Sequence, residues 1–450
     1  MKGDFSRETF DAGLGYTGVL MQQGRVHLDA DFNEQGAISR DFWRSLARDL
    51  VGPHGGPVDC LGFGCITSES EILQWLSLSR EVGAMACTNF AGGVDWNRDF
   101  LITPGRYYVD GMLVENDRLI RYSDRADPGA RDAFIAEHES FVVHLQVFER
   151  VVTAMEDPRL LEPALGGTDT TLRLQVRWQV RLQSHHGERV SARELPLLSR
   201  VRYGLMTAQT HPSRAGDSDR KGYTGLENRL YRIEIHAGAE TGTPTFKWSR
   251  NNGAYVRVVR QPAAEPTGNH LTLDLLPAIG AAAPPCSIDV DAFVELLPEF
   301  DPGPHVQGPL LRVLASSSDG NSLTLDTTGA VVDPRRLRLL RRWDQRGGAI
   351  PVPGDAKPVA IEDGIEVVFD ATTRSDLRSG DYWVIAARLS VADIDWPRVC
   401  DASSGCARPV ARPPNGPRSA SAPLGILRRT DGGAGWTFED GRRRFGPIAT

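Results

Sequence analysis

Residues 21 to 35 read MQQGRVHLDADFNEQ, and their types invite metal chemistry. With Arg25 to Asp31 as a strand, a period of two puts His27, Asp29 and Asp31 on one face and Val26, Leu28 and Ala30 on the other. One imidazole and two carboxylates can hold a divalent cation. The corresponding activity would be that of a metal-dependent hydrolase centred on His27 and Asp29. Neighbouring sequence supplies no further ligand, however, and a local account covers every residue. The strand ends, Asp31 caps a helix with Glu34 three residues on, and Asp29 favours the positive helix N-terminus. The stretch reads as a junction between strand and helix, and no metal or other cofactor is expected.

The remaining chemical candidates divide in the same way. Asp289 and Asp291 in SIDVDAF, with Glu295, offer oxygen ligands for calcium, but the glycine and distal glutamate of an EF-hand loop are missing. Alternation with Ile288, Val290 and Ala292 makes an exposed acidic strand face the simpler expectation. His185 and His186 occupy a turn with no cysteine or acid positioned to join them. No GxSxG, HExxH or P-loop pattern occurs, and ALGGTDT precedes a strand where phosphate binding needs a helix N-terminus. Arg335, Arg336, Arg338, Arg341 and Arg342 form one basic cluster; Arg428, Arg429 and Arg442 to Arg444 form another. Without interleaved aromatics these suit pairing with carboxylates better than nucleic acid. Trp178, Trp248, Trp343 and Trp383 sit in strand-like settings and are expected in cores, the alternative being a sugar-binding platform. No catalytic residue is assigned, and the chain is expected not to be an enzyme.

These side chains must be positioned mostly by β-structure. One helix is expected from about Phe32 to Val51, with Phe42, Trp43, Leu46, Ala47 and Leu50 at helical spacing and Gly52-Pro53 as its stop. Its apolar stripe needs something to dock on. Tight-turn pairs at Asp110-Gly111, Asn252-Gly253, Asp319-Gly320 and Asp363-Gly364 separate strand-like runs. Helical segments between strands are few, so the fold class is mainly β: a multi-domain sandwich with a small barrel, one N-terminal helix and an extended C-terminal arm. The expected organisation is a strand-helix docking unit at 1–55, a hairpin-rich module at 56–135, a sandwich region at 136–265 and a small barrel at 266–340, either inserted in the sandwich or appended to it. Strands at 341–397 complete the sandwich, and a Pro/Gly/Arg-rich arm with little core of its own follows at 398–450.

Composition narrows the function classes. The 450 residues are 40% hydrophobic and 24% charged, with a net charge of −7, which disfavours a general nucleic-acid or membrane-surface binder. MKGDFSRETF lacks the apolar core of a signal peptide, and no apolar run approaches the roughly 20 residues that span a bilayer. Assembly in the cytoplasm is therefore expected, without membrane insertion. Six scattered cysteines, none in a CxxC pair, suit neither a zinc site nor a disulfide scaffold.

Several stretches carry a resemblance: MKGDFSRETF, VLMQQGRVHLDADFNEQ, ARDLVGPHGG, ITPGRYYVDG, EPALGGTDTTLRLQVRWQV, GLENRLYRIEIH, TFKWSRNNG, LRRWDQ, EDGIEVVF and SGDYWVIAAR. Together they resemble a family of uncharacterised bacterial proteins encoded beside phage-tail-like contractile injection systems. The resemblance implies a structural or accessory subunit of such a particle, at the baseplate or around the spike, and brings no catalytic residues with it. Its expected partners are other subunits of a contractile tail particle and further copies of itself, three- or sixfold by the usual closure of such tails. Release of the particle outside the cell belongs to the same expectation. The expectation from a different class is a carbohydrate-binding or carbohydrate-cleaving module for cell-surface recognition.

Overall fold

The computed structural model describes residues 2–78, 93–124, 135, 138–185, 191–192, 195, 203–210, 222–276, 288–297, 303–400, 407–430 and 435–447. Short alternating runs divided by turns fold into several sheets, so the protein is mainly β, as expected. It divides into two compact units. One comprises Met1–Gly36, Glu149–Gln175 and Val201–Arg418; the other comprises Ala37–Phe148, Val176–Arg200 and Ser419–Thr450.

The first unit is built on a sandwich. Its five-stranded sheet runs in the order Ile350–Pro351, Thr245–Ser249, Arg229–Ala237, Tyr382–Arg388, Asp393–Asp395. Opposite lies a three-stranded sheet of Met206–Thr210, Ile365–Phe369 and Val359–Ala360. The period of two sends Tyr231, Ile233, Ile235, Phe246, Trp248 and Trp383 inward against Ala208, Val367 and Phe369. The same period sends Arg232, Glu234 and Lys247 to the other face, where they are also buried.

Asn252-Gly253, both at positive φ (53° and 66°), turns the chain out of the sandwich. It does not close a hairpin. It delivers the chain into a six-stranded antiparallel sheet ordered Val256–Val258, Leu339–Trp343, Phe293–Leu297, Leu310–Ser316, Ser322–Asp326, His270–Asp274. Because strands on both sides of this segment pair within the sandwich, the six-stranded sheet is an insertion. It was expected as a small barrel, and the structure corrects that. The sheet curls round a core of Leu271, Leu273, Leu296, Val313, Leu325 and Leu340, and among the described residues its edge strands meet through the single bridge Val259–Leu275. It is not a closed barrel.

In the second unit, Asp110 and Gly111 (φ 49° and 73°) form the two-residue turn expected between Gly105–Val109 and Met112–Asn116. That hairpin joins His54–Pro57 and Arg444–Phe445 in one sheet. A second sheet has the order Arg173–Ser184, Ser140–Val152, Ser419–Arg429, Trp436–Asp440. Here the extended C-terminal arm is corrected: Ser419–Arg429 is an interior strand, and its Ala422, Leu424 and Ile426 are fully buried. Pro423 is tolerated because the register shifts between Pro423 and Gly425, where a ladder donor is not needed.

Helix α1 is Asp29–Val51 and helix α2 is Glu69–Leu78. The strand expected at 25–31 does not form. A turn at Gln22–Arg25 with Gly24 at φ 70° interrupts it, and the helix starts at Asp29, three residues earlier than expected. Asp31 therefore lies in the first turn and is not the cap. The C-terminal stop falls where the sequence puts it: Gly52, at φ 87°, donates its N–H to the Arg48 carbonyl at 2.9 Å. α2 was not expected, although Ser68 with Glu71 three residues on is a legible start. Glu71 reaches back to accept the Thr67 N–H at 2.7 Å.

Candidate functional site

The metal-like candidates are not brought together. His27 is exposed ahead of α1, while the Asp29 carboxylate accepts the Ser6 N–H at 2.9 Å and the Ser6 hydroxyl at 2.6 Å. Partial burial alone would raise the Asp29 pKa, but these Ser6 hydrogen bonds bring it below the usual carboxylate range. Asp289 and Asp291 do not form the expected strand face. Asp291 takes φ 69° in a turn and is 3.8 Å from Arg312, whereas Glu295 lies on the following strand and is buried. Among the described residues no group of three or more His, Cys, Asp or Glu is placed to share a metal. His185 is described; His186 lies outside the described residues, as do Cys87, Cys286 and Cys406.

The arginine clusters pair within the chain. Arg335 meets Glu265 at 3.5 Å, Arg342 meets Asp344 at 3.5 Å, Arg428 meets Glu439 at 3.6 Å, and Arg442 and Arg444 share Asp440 at 2.8 and 3.2 Å. Trp248, Trp343 and Trp383 are core residues, and Trp178 is half-buried with its indole N–H on the Glu115 carbonyl at 3.1 Å. A shallow, open cleft of about 510 Å³ borders Phe293, Leu310, Arg312, Asp326 and Val331. Among the described residues Asp326 is the only carboxylate lining it, whereas glycoside cleavage needs a pair.

Sequence reasoning missed a buried ion network, assembled where the charged face of the five-stranded sheet meets the inserted sheet. Lys247 has no exposed surface. Its ammonium group donates to Gln307 Oε1 at 2.6 Å, pairs with Glu295 at 2.8 Å and with Glu234 at 3.6 Å, and lies 4.5 Å from the Trp343 ring centroid. Glu295 also accepts the Trp343 indole N–H at 2.9 Å and the Gly308 N–H at 3.0 Å. Arg232 pairs with Glu234 at 2.6 Å and stacks 3.5 Å from the Tyr382 ring centroid. Lys2 enters from the chain start to meet Glu234 at 3.0 Å, and Asn252 Nδ2 donates to the Gly3 carbonyl at 3.0 Å.

Burial by itself would raise both carboxylates. Lys2, then Arg232 and Lys247, hold Glu234 well below the usual range, and Lys247 with Lys2 brings Glu295 to about 2. Burial, reinforced by Arg341, pushes Lys2 down to about 7. Each carboxylate is engaged by cations and hydrogen-bond donors, so the network braces the inserted sheet against the five-stranded one.

The other unusual surfaces are apolar. Residues 12–28 leave large side chains in solvent, Leu20 at 92% and Val26 at 82% exposure among them, while Val19 N–H donates to Gln35 Oε1 at 2.7 Å and Thr9 bonds Glu34. Polar contacts thus pin this strap to the first turns of α1 with its apolar side chains outward. In the second unit, the chain backs α1 with its small side. An added Cβ on Gly111 would lie 2.3 Å from the Arg44 carbonyl oxygen, and Ile38 is buried. Phe42 (63%), Trp43 (65%) and Leu50 (58%) face solvent, so the docking expected of this stripe is not met among the described residues.

No curated protein and no solved structure matches the chain. The profile of a family of unknown function does match, over residues 1–202 and 212–432. The protein therefore belongs to that family of unknown function, DUF6519.

Proposed function

We propose that the protein is a structural subunit of a bacterial contractile injection system or phage-tail-like particle, associated with the baseplate or spike and working by protein–protein assembly. The observation that carries this reading is the placement of α1, with Ile38 and the Arg44 backbone turned to its own chain and Phe42, Trp43 and Leu50 in solvent. Contiguous large apolar side chains at a surface mark a place where another macromolecule sits. The strap at 12–28 adds a second such surface, with Leu20 and Val26 outward. The buried brace and the single-carboxylate cleft suit a scaffold more than a catalyst. Its partners on this reading are neighbouring tail subunits and further copies in three- or sixfold symmetry. Subunits are made in the cytoplasm and leave the cell, when they do, as parts of the particle.

The test is electron microscopy and mass spectrometry of sheath-and-tube particles purified from cells producing the chain with an internal tag. The tag is expected on the baseplate or spike region, at a stoichiometry that matches the particle symmetry. Particles that are complete and functional yet contain no trace of the chain overturn the reading.

A further inference from the structure

We infer that the exposed face of α1 packs against α1 of a second copy of this chain. The inference rests on the assembly reading above and names the partner of that surface. Four arguments on one helix support it. Ser39, Trp43, Leu46 and Leu50 follow at intervals of four, three and four, the repeat that lets two copies of one helix interdigitate along a seam. All four are exposed, with Phe42 edge-on to Trp43 beside them at 5.8 Å between ring centroids.

Area is the second argument. The exposed parts of these side chains amount to on the order of 400–500 Å² per copy, so pairing two copies buries about 1,000 Å² with their flanks, the threshold of a specific interface. Position is the third: the opposite side of the helix is closed by the Gly111 turn against the Arg44 backbone, so the seam has one free direction to face. Charge is the fourth. The helix flanks carry Asp41 and Asp49 among their arginines, and Arg48 is paired with Asp110 at 3.4 Å. A face built for anionic lipid would carry a predominantly basic rim, whereas mixed signs suit a protein surface of the same composition.

The experiment is sedimentation of the full chain at micromolar concentration, wild type beside Trp43→Glu. The expected result is a wild-type oligomer that the substitution weakens at least about tenfold in dissociation constant, as at the centre of an interface. Because Trp43 is mostly exposed, the variant's melting profile is expected to match the wild type's. A second measurement keeps the proposal open to failure should Trp43→Glu misfold. In a Ser39→Cys, Leu50→Cys double variant, oxidation is expected to give interchain disulfides, mapped by peptide mass spectrometry as 39–39 for parallel helices or 39–50 for antiparallel ones.

A wild-type chain that stays monomeric at about 100 µM, together with neither disulfide in the double variant, overturns the pairing. So does an oligomer that Trp43→Glu leaves intact, or binding of α1 to anionic vesicles that the same substitution abolishes. Particle membership is read by microscopy and helix pairing by sedimentation, so either can fail alone.

Discussion

Lys247 shows what surrounds a fully buried lysine in this fold. Two carboxylates, an amide oxygen and an aromatic face surround it, replacing the water it gives up. Removing one partner from such a set strands the rest. Glu295→Ala is expected to destabilise the first unit by roughly 3–5 kcal/mol in denaturant unfolding, because Lys247 loses its nearer carboxylate and the Trp343 indole and Gly308 N–H lose their acceptor. A loss under about 1 kcal/mol would mean that the brace is dispensable. Lys2 gives a prediction with a sign. Its folded pKa, about 7, lies below the ordinary 10.5, so between those values the unfolded chain carries a proton that the folded chain has released. Stability contributed by Lys2 therefore rises with pH across that window and is lost as pH falls through about 7. Plotted against pH, the stability of wild type minus that of Lys2→Met is expected to climb from neutral to about pH 10; a flat difference refutes the shifted Lys2.

At the scale of elements, α1 depends on two glycines for different reasons. Gly52 ends the helix at φ 87° with open space around its α-carbon, so Gly52→Ala meets backbone strain alone, roughly 1–2 kcal/mol. Gly111 sits at φ 73° with the Arg44 carbonyl oxygen where a methyl group would go, so Gly111→Ala adds a clash to the same strain. The second substitution is expected to cost clearly more in thermal melts and to raise amide exchange along α1, while the first leaves exchange there near wild type. Equal costs would show that the hairpin does not hold the helix. This contact is not legible in the sequence, since Asp110-Gly111 is fully explained by its hairpin and nothing local links it to Arg44.

At the scale of the whole molecule, each unit is stitched from segments far apart in sequence. The second unit takes an interior strand from Ser419–Arg429, which pairs with Ser140–Val152 along most of its length and buries Leu424, Ile426 and Leu427. A chain ending at Arg418 therefore opens a groove through that core. Truncation there is expected to abolish cooperative unfolding of the second unit and to expose the segment around Phe141 to limited proteolysis, with the sandwich core still protected. A truncated chain that melts like the full one would restore the arm reading of the C-terminus.

What the sequence decided by itself is what short-range rules can reach. Side-chain alternation makes the protein mainly β, Gly52-Pro53 ends α1 at Val51, and Asp110-Gly111 and Asp363-Gly364 turn hairpins because their backbone accepts positive φ. Burial of three of the four strand tryptophans likewise follows from their strand settings. The tertiary structure alone decided the rest. Positions 2, 232, 234, 247 and 295 form one network only because an inserted sheet is laid on a charged sheet face, and a charge in a strand looks solvated until that second layer covers it. Proline and glycine made residues 419–429 look like an arm because composition registers the missing donor and not the register shift that accommodates it. The α1 stripe is plain in the sequence, but amphipathicity fixes only that a helix has an apolar face; the Gly111 turn, packed against the other side, is what leaves that face outward.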